Sequence, residues 1–441
     1  MDENATQRLS PDELYDVWPM LPPDDRQTGF ALLDRDDAED FFRQVDGEDQ
    51  LQILEGLGAG HRRAFARLLE PDDAADVLQA ADEALRNELL GLFDERSREE
   101  IRALMAYAED DAGGLMSTRF VRVRPDMSVD EAIRYLRKQA REKVETLSYT
   151  YVLDPHQRLL GVVSFRQLFS APGETLVSDV METDLVTVPE QMDQEDVGRL
   201  FAQHDLVAVP VLDAEGRMKG IVTIDDIVDV VEEEATEDIQ KLGGMEALDA
   251  PYMQVDLWGM VRKRAPWLSV LMIGEMFTAT AMGYFDDEIK KAVVLTLFIP
   301  TIISCGGNSG SQASTLVIRA LALGEVRLRD WLRVLGRELA VGLSLGAILG
   351  VIGLARILLW PNAVDLYGPF FVQVAFAVAL SIVGVVVWGS TMGAMLPLVL
   401  RSVGFDPATA SAPLVATMVD VTGLIIYFTV ASQILSGTLL P

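Results

Sequence analysis

The sequence predicts a multidomain membrane protein: an acidic α-solenoid N-domain, two α/β modules in tandem, an acidic connecting helix and a five-helix transmembrane domain. Three observations carry this expectation. Five long apolar segments lie in the C-terminal part of the 441 residues. Charge is segregated, with 12 Lys/Arg and 11 Asp/Glu in 251–441 against 25 basic and 57 acidic residues in 1–250, a net of −32 for that half. Between 113 and 235, short β-rich runs alternate with helical ones in two similar copies. The expected boundaries are 1–112 for the N-domain, 113–176 and 177–235 for the modules, 236–262 for the connecting helix and 263–441 for the membrane domain.

Residues 10–112 read as short amphipathic helices rich in Leu, Asp and Glu. LLDRDDAEDFF at 32–42 returns as LLEPDDAADVL at 68–78, a period of 36 residues. Self-similarity of that length is the signature of stacked helix pairs. The Asp pairs suit helix N-termini, where a carboxylate accepts from backbone N–H groups and meets the positive end of the dipole. Capping is therefore the plain reading of many of them. The start, MDENATQRLSPDEL, lacks a basic n-region and an apolar core, so no signal peptide is expected.

In the next part FVRVRP, TYVLD, LLGVVSF, LVTVPE, AVPVLD and KGIVTI read as strands, with helices over 128–141 and 193–204. The order extended–helix–strand–strand–helix occurs twice, closing on GVVSFRQLF and GIVTIDDIV. The second copy runs into DDIVDVVEEEATED, from Asp225 to Asp238, which leads toward the membrane. Asp226, Asp229, Glu233 and Glu237 recur at helical spacing and share one face, where like charges repel unless neutralised. A solvated face explains many such runs; a cation-filled interface fits this one better, because it joins the modules to the membrane domain.

The acidic half repels nucleic acid and anionic lipid and suits cations or basic partners, so no nucleic-acid partner is expected. A single cysteine, Cys305, excludes an intrachain disulfide and a cysteine metal cluster. His61, His156 and His204 are too scattered for a zinc site.

Spanning the hydrocarbon takes about 20 mostly apolar helical residues. Roughly 265–285, 291–320, 335–360, 370–400 and 411–436 meet that standard. The second and fourth contain Gly or Pro, which predicts tilting, kinking or local unwinding. Arg262, Lys263 and Arg264 precede the first span, Arg327, Arg329, Arg333 and Arg337 follow the second, and Arg401 follows the fourth. By the positive-inside rule the N-terminal half is cytoplasmic and the C-terminus outside, with Lys290 and Lys291 as an exception beside Asp286, Asp287 and Glu288.

Asp420 lies deep in the last span, and a carboxylate there costs about 2.5–3.5 kcal/mol on insertion scales. It should face a partner or a hydrated path. An ion pair with Arg319 is the structural alternative. The stretch PTIISCGGNSGSQAST, 300–315, interrupts an apolar helix with small and amide side chains, and Asn308, Ser309, Ser311 and Gln312 bring oxygen groups to it. Its glycines are also explained by close helix packing. Mg²⁺ keeps its waters and needs few protein ligands, so one carboxylate with amide or carbonyl oxygens can hold the hydrated ion. Rings of carboxylates about an oligomer axis select cations in this way. No Walker A sequence, ATPase aspartate or other catalytic motif is present, so passive movement and no enzymatic activity are expected.

PTIISCGGNSGSQASTLVIRALALGEV, with GAMLPLVLRSVGFDPATASAPLVATMVDVTGLIIYF, resembles the MgtE family of Mg²⁺ channels, and the order of parts agrees over almost the whole chain. The resemblance implies that 113–235 are tandem cystathionine-β-synthase (CBS) modules. It also implies that two protomers form one pore lined by the second and fifth spans, with Asp420 holding transported Mg²⁺ and Asn308 and Gln312 lining the path. The location implied is the bacterial cytoplasmic membrane. CGGNSGSQ departs from the TGGNTGNQ often seen in the family, at Cys305 and Ser311. The regulatory Mg²⁺ ligands implied are Asp193, Glu195, Asp226, Asp229, Glu234, Glu237 and Asp238, with Asp72 and Asp76 of the N-domain.

CBS modules often bind adenine nucleotides through a Thr or Ser and an Asp three residues later. Thr223 and Asp226 fit, but the first module has Ser164 followed by Gln167, so ATP binding is expected to be weak or absent. The expected activity is passive Mg²⁺ import, with closure favoured by cytoplasmic Mg²⁺ at the acidic interfaces. An ion-coupled divalent-cation transporter in which Asp420 titrates, or a non-conducting membrane Mg²⁺ sensor, are the alternatives; no output segment follows the sensor. Passage of Co²⁺, Ni²⁺ or Mn²⁺ stays open.

Overall fold

A computed structural model of the chain describes residues 10–139, 146, 148–248 and 250–437, and two compact units divide it, Met1–Glu234 and Ala235–Pro441. The first unit begins with eight short helices among the described residues: α1 Pro11–Val17, α2 Pro23–Ala31, α3 Arg35–Gln44, α4 Gly47–Gly56, α5 Ala59–Ala66, α6 Pro71–Ala80, α7 Glu83–Leu90 and α8 Glu95–Leu104. Capping sets their starts. Ser10 forms a capping box with Glu13, and Asp46, Asp82 and Asp94 each accept a backbone N–H at the N-termini of α4, α7 and α8.

Their ends are closed from further along the chain. The last carbonyls of a helix lack intrahelical donors, and here a side chain eight residues on supplies one. Arg26 donates to Trp18 O, Gln50 to Phe42 O, Arg62 to Leu54 O, Arg86 to Leu78 O and Arg98 to Leu90 O, at 2.6–3.2 Å. Arg26, Arg62 and Arg98 stand 36 residues apart, as do Gln50 and Arg86, so the sequence repeat is a repeat of these clasps. Arg26 is 1% exposed and also pairs with Asp49.

Two three-stranded sheets follow among the described residues, each with a parallel and an antiparallel pair. In the first, β1 (Arg122–Val123) runs parallel to β2 (Tyr149–Leu153), which pairs antiparallel with β3 (Leu159–Ser164), and α9 (Val129–Gln139) connects the first two. After α10 (Phe165–Ser170) and α11 (Val177–Val180), the second repeats the pattern with β4 (Val188–Pro189), α12 (Gln194–His204), β5 (Ala208–Leu212) and β6 (Met218–Thr223). Both antiparallel pairs shift register at the equivalent place, Val152/Leu153 and Val211/Leu212. These are the two expected module copies.

Helix α13, Ile224–Leu242, leaves the second module and crosses the boundary between the units. One hydrophobic core joins the solenoid to the second module, from Phe41, Phe42 and Val77 to Val197, Phe201, Val209 and Ile227. The N-domain is thus fastened to the second module, where the acidic run begins.

Among the described residues of the second unit five helices are long and apolar enough to cross a membrane: α14 Leu257–Tyr284, then, after the short α15 Asp286–Lys291, α16 Ile299–Ala322, α17 Trp331–Leu358, α19 Phe371–Ser402 and α20 Ala412–Leu435, with the short α18 Ala363–Tyr367 between α17 and α19. Within the expected second span the backbone departs from the α-helix as a 3₁₀ turn over Val293–Phe298, and α16 then stays helical through CGGNSGSQ. Its small residues are used for packing: a Cβ on Gly310 would lie 2.9 Å from Gly389 O, and one on Gly389 would overlap Gly306 O. One expectation needs correction: 236–262 is not one helix. It is helical to Leu242 and again from Leu257, because Gly243–Gly244 ends α13, with Gly244 at φ +73° where an L side chain is strained.

Candidate functional site

Four carboxylates surround Asp76: Asp73 of its own helix and Glu109 of the N-domain, with Asp226 and Glu233 of α13 across the join between solenoid and second module. Asp76 lies one turn after Asp72 in α6, where the repeat places the acidic face of that helix. Burial and the negative charges of Asp73, Glu109, Asp226 and Glu233 push its carboxyl up to about 7. Asp226, in the first turn of α13, is pushed up to about 6 by burial and the charges of Asp225 and Asp73, against hydrogen bonds from Thr223 that favour its ionised form. Asp229, one turn on, is raised by burial and by Glu232, Asp225 and Asp46.

Three expected ligands therefore converge here, Asp76, Asp226 and Asp229, together with Asp46, Asp73, Glu109 and Glu233, which the ligand set did not include. Glu233 was legible as part of the α13 face. Asp46 reads as a helix cap, which it also is, accepting from Asp49 N at 2.8 Å.

The other expected ligands are more dispersed. Asp193 caps α12, accepting from Glu195 N at 2.9 Å, and Glu195 lies 3.7 Å from Arg199. Glu234 accepts from Gln194 Nε2 at 2.6 Å, which links the start of α12 to α13. Glu237 and Asp238 lie on the last part of α13 within the second unit. Among the described residues no three His, Cys, Asp or Glu side chains are drawn close enough together to hold a metal ion. The donors nonetheless suit one class of ion. They are carboxylates only, held against mutual repulsion, and a hard divalent cation that keeps most of its water needs few direct contacts.

The Thr223/Asp226 pattern has a local role. Thr223 Oγ1 donates to Asp226 Oδ2 at 2.7 Å and Thr223 N at 3.3 Å, a side chain closing the start of α13. Ser164 and Gln167 make a corresponding contact at the start of α10, there in both directions, with Ser164 N donating to Gln167 Oε1 at 2.7 Å and Gln167 N to Ser164 Oγ at 3.2 Å. In both modules the spacing expected for a nucleotide caps a helix.

In the membrane unit α16 packs along α20. Gly307 lies against Ala416, Ser311 Oγ donates to Ala412 O at 3.2 Å, and Ser314 Oγ to Ala410 O at 2.7 Å. Asp420 is one turn beyond Ala416 on α20. Asn308 and Gln312 occupy the exposed face of α16, where Asn308 also bonds Ser304. No ion pair joins Asp420 to Arg319; the side chain Asp420 meets is that of Glu275 on α14. Glu275 is a second carboxylate within an apolar span, and its spacing in sequence gives no sign of the pairing.

At the end of α13, Lys241 Nζ lies 2.5 Å from Glu237 Oε1 and 2.7 Å from Asp406 Oδ2, in the connection between α19 and α20. Burial alone would lower this ammonium, but the two carboxylates hold it above its ordinary value.

Comparison with known proteins agrees with the order of domains. The family described as a divalent cation transporter, MgtE, matches residues 299–430; the MgtE intracellular N domain matches 9–110; and the CBS domain matches 112–174 and 177–233. The magnesium transporter MgtE of Thermus thermophilus is 39% identical over 434 residues, 98% of this chain and 94% of that one. Its counterpart in Bacillus subtilis is 30% identical over 96% of this chain and 92% of that one. A solved cytosolic domain of the Mg²⁺ channel MgtE, in complex with ATP, is 40% identical over 51% of this chain and 91% of that one, with a TM-score of 0.47. With relatives matched along nearly their whole length, the chain belongs to the MgtE family of magnesium transporters, multi-pass proteins of bacterial membranes.

Proposed function

We propose that this transporter is a Mg²⁺-selective channel, that import through it is passive, and that cytoplasmic Mg²⁺ favours its closure. The observation that carries the gating reading is the gathering of α6 and α13 carboxylates around Asp76, whose carboxyl is pushed up to about 7 by burial and four negative neighbours. Bound Mg²⁺ would supply the positive charge that lets these acids stay together. The residues we assign to holding it are Asp72 and Asp76 of the solenoid, Asp226 and Asp229 of α13 beside it, Asp193, Glu195 and Glu234 at α12 and α13, and Glu237 and Asp238 toward the membrane. Left bare, the acids repel and the solenoid loosens from α13, so an ion bound only in the gathered arrangement stabilises that arrangement.

For the transported ion, Asp420 attracts hydrated Mg²⁺ while Asn308 and Gln312 offer amide groups along the same path. Two copies would complete the pore, with the N-terminal half cytoplasmic and the C-terminus outside. We keep the domain divisions at 112, 176, 235 and 262 as functional units. Although a relative was solved with ATP, Gln167 in place of an acid supports weak nucleotide binding or none here. A second reading, ion-coupled exchange, draws on the contact between Glu275 and Asp420, because paired carboxyls can trade a proton for a divalent ion.

Current recording in planar bilayers with Mg²⁺ as the sole cation tests both readings. A channel gives unitary currents that vanish as internal Mg²⁺ rises and a reversal potential independent of pH. PH-dependent reversal favours exchange, and currents indifferent to internal Mg²⁺ remove the gating reading.

A further inference from the structure

The acidic stretch that leads to the membrane contains one basic residue. From Lys219 to Arg262 the sequence holds no Lys or Arg except Lys241, and this residue bridges carboxylates from two distant places in the chain. Glu237 is one helical turn back on α13, while Asp406 is 165 residues further on. Both ion pairs are half-sheltered, with the Lys241 side chain 29% exposed and those of Glu237 and Asp406 34% and 38%. Asp406 is itself oriented, since its other oxygen accepts Ala408 N at 2.8 Å and caps the 3₁₀ turn Pro407–Thr409.

Apolar contacts surround the bridge. Leu242 packs against the buried cluster of Ile318, Ala408 and Ala410, which joins α16 to the connection before α20. A Cβ on Gly244 would meet the Trp267 indole at 2.7 Å, and Trp267 Nε1 donates to Ser411 Oγ at 3.3 Å, the hydroxyl that caps α20. The end of α13 is thereby seated on the start of the helix that carries Asp420.

We propose that Lys241 is a built-in cation that latches the end of the connecting helix to the loop preceding the last span, so that closure is held by the protein's own ammonium as well as by divalent ions. The gating role rests on the reading given above; the latch itself does not. Releasing the helix end requires parting one ammonium from two carboxylates, and charge on Lys241 is what matters, so Arg should substitute and an apolar side chain should not. As a positioning residue it sets the Mg²⁺ level at which the channel closes and leaves the conducting path alone.

The test uses the full-length protein in bilayers and in nanodiscs. Lys241→Met should raise the internal Mg²⁺ needed for half-closure about fivefold, the scale expected of a half-exposed ion pair, with unitary conductance unchanged. Lys241→Arg should behave as wild type. Asp406→Asn should reproduce the Met variant, and the double variant should add little to either single one. Asp406→Asn also serves if Lys241→Met does not accumulate in the membrane.

Hydrogen exchange over 236–248 reads the latch without conduction and should speed up in Lys241→Met and not in Lys241→Arg. If wild type ignores Mg²⁺ while the Met variant still exchanges faster, the gating reading fails and the latch stands. If wild type closes with Mg²⁺ but the Met variant keeps its midpoint and its exchange rates, the latch is overturned.

Discussion

Replacing Asp76 by Asn should tighten the acidic junction in Mg²⁺-free solution and blunt its response to the ion. The carboxyl is displaced from 3.8 to about 7 by burial and its four acidic neighbours. At about 1.36 kcal/mol per pH step, a group sealed from water would carry about 4 kcal/mol of unfavourable charge. Asp76 is exposed to solvent, and screening there reduces this to about 1–2 kcal/mol. That corresponds to a roughly five- to thirtyfold change in the ratio of gathered to loosened junctions.

The sign with pH follows from linkage. The folded value lies above that of a free carboxylate, so the contribution to stability is fully present below about 4 and is lost as pH rises through about 7. Asp226 adds a similar loss ending near 6. Wild type in chelator should therefore be tighter at pH 5.5 than at pH 8, while the Asn variant loses only the part that Asp226 contributes. Hydrogen exchange over 71–80 and 224–233, with and without Mg²⁺, measures this directly. An Asn variant that exchanges as fast as wild type at pH 8 in chelator, and gains the same Mg²⁺ protection, would refute the reasoning.

Asp420→Ala should abolish Mg²⁺ uptake while leaving folded protein in the membrane; normal uptake by a well-expressed variant removes the assigned role, and Asp420→Asn then separates charge from shape. Neutralising Asp226, Asp229, Glu234, Glu237 and Asp238 to amides should leave the channel open at internal Mg²⁺ that silences wild type, as read in single-channel records, with conductance unchanged. Calorimetry of the protein with ATP should show weak binding or none, and a micromolar affinity lost in Thr223→Ala would reverse that expectation. Gly389→Val should destabilise the membrane unit by about 1–3 kcal/mol or more, because its side chain would meet the Gly306 carbonyl; thermal unfolding in detergent checks this.

The parts that proved legible are those written locally in the chain. Solenoid repeat, strand alternation and spans each have a period or a run length, and the 36-residue spacing even anticipates the Arg26, Arg62 and Arg98 clasps, although the arginines themselves drew no notice. The acidic face of α13 was visible for the same reason. Its partners were not, because Asp46, Asp73 and Glu109 come opposite it only through packing of the solenoid on the second module. Glu275 meets Asp420, and Lys241 meets Asp406, across separations that no periodicity encodes. The break in the connecting helix did have a local sign, the Gly243–Gly244 pair, which the long helical acid run before it outweighed.

The contact between α16 and α19 has a mechanical consequence. At Gly389 and Gly393 of α19 the two helices touch backbone to backbone, against the carbonyls of Gly306 and Gly310. On its opposite side α19 receives Gly342 and Gly346 of α17 in the same manner, against the Val387 and Val383 backbone. Three spans are thus geared together without play, like meshed teeth rather than cushioned surfaces. Any motion that turned α16 alone would have to strip that gearing. The span outside this gear train is α14, which carries Glu275 and meets the bundle along α20.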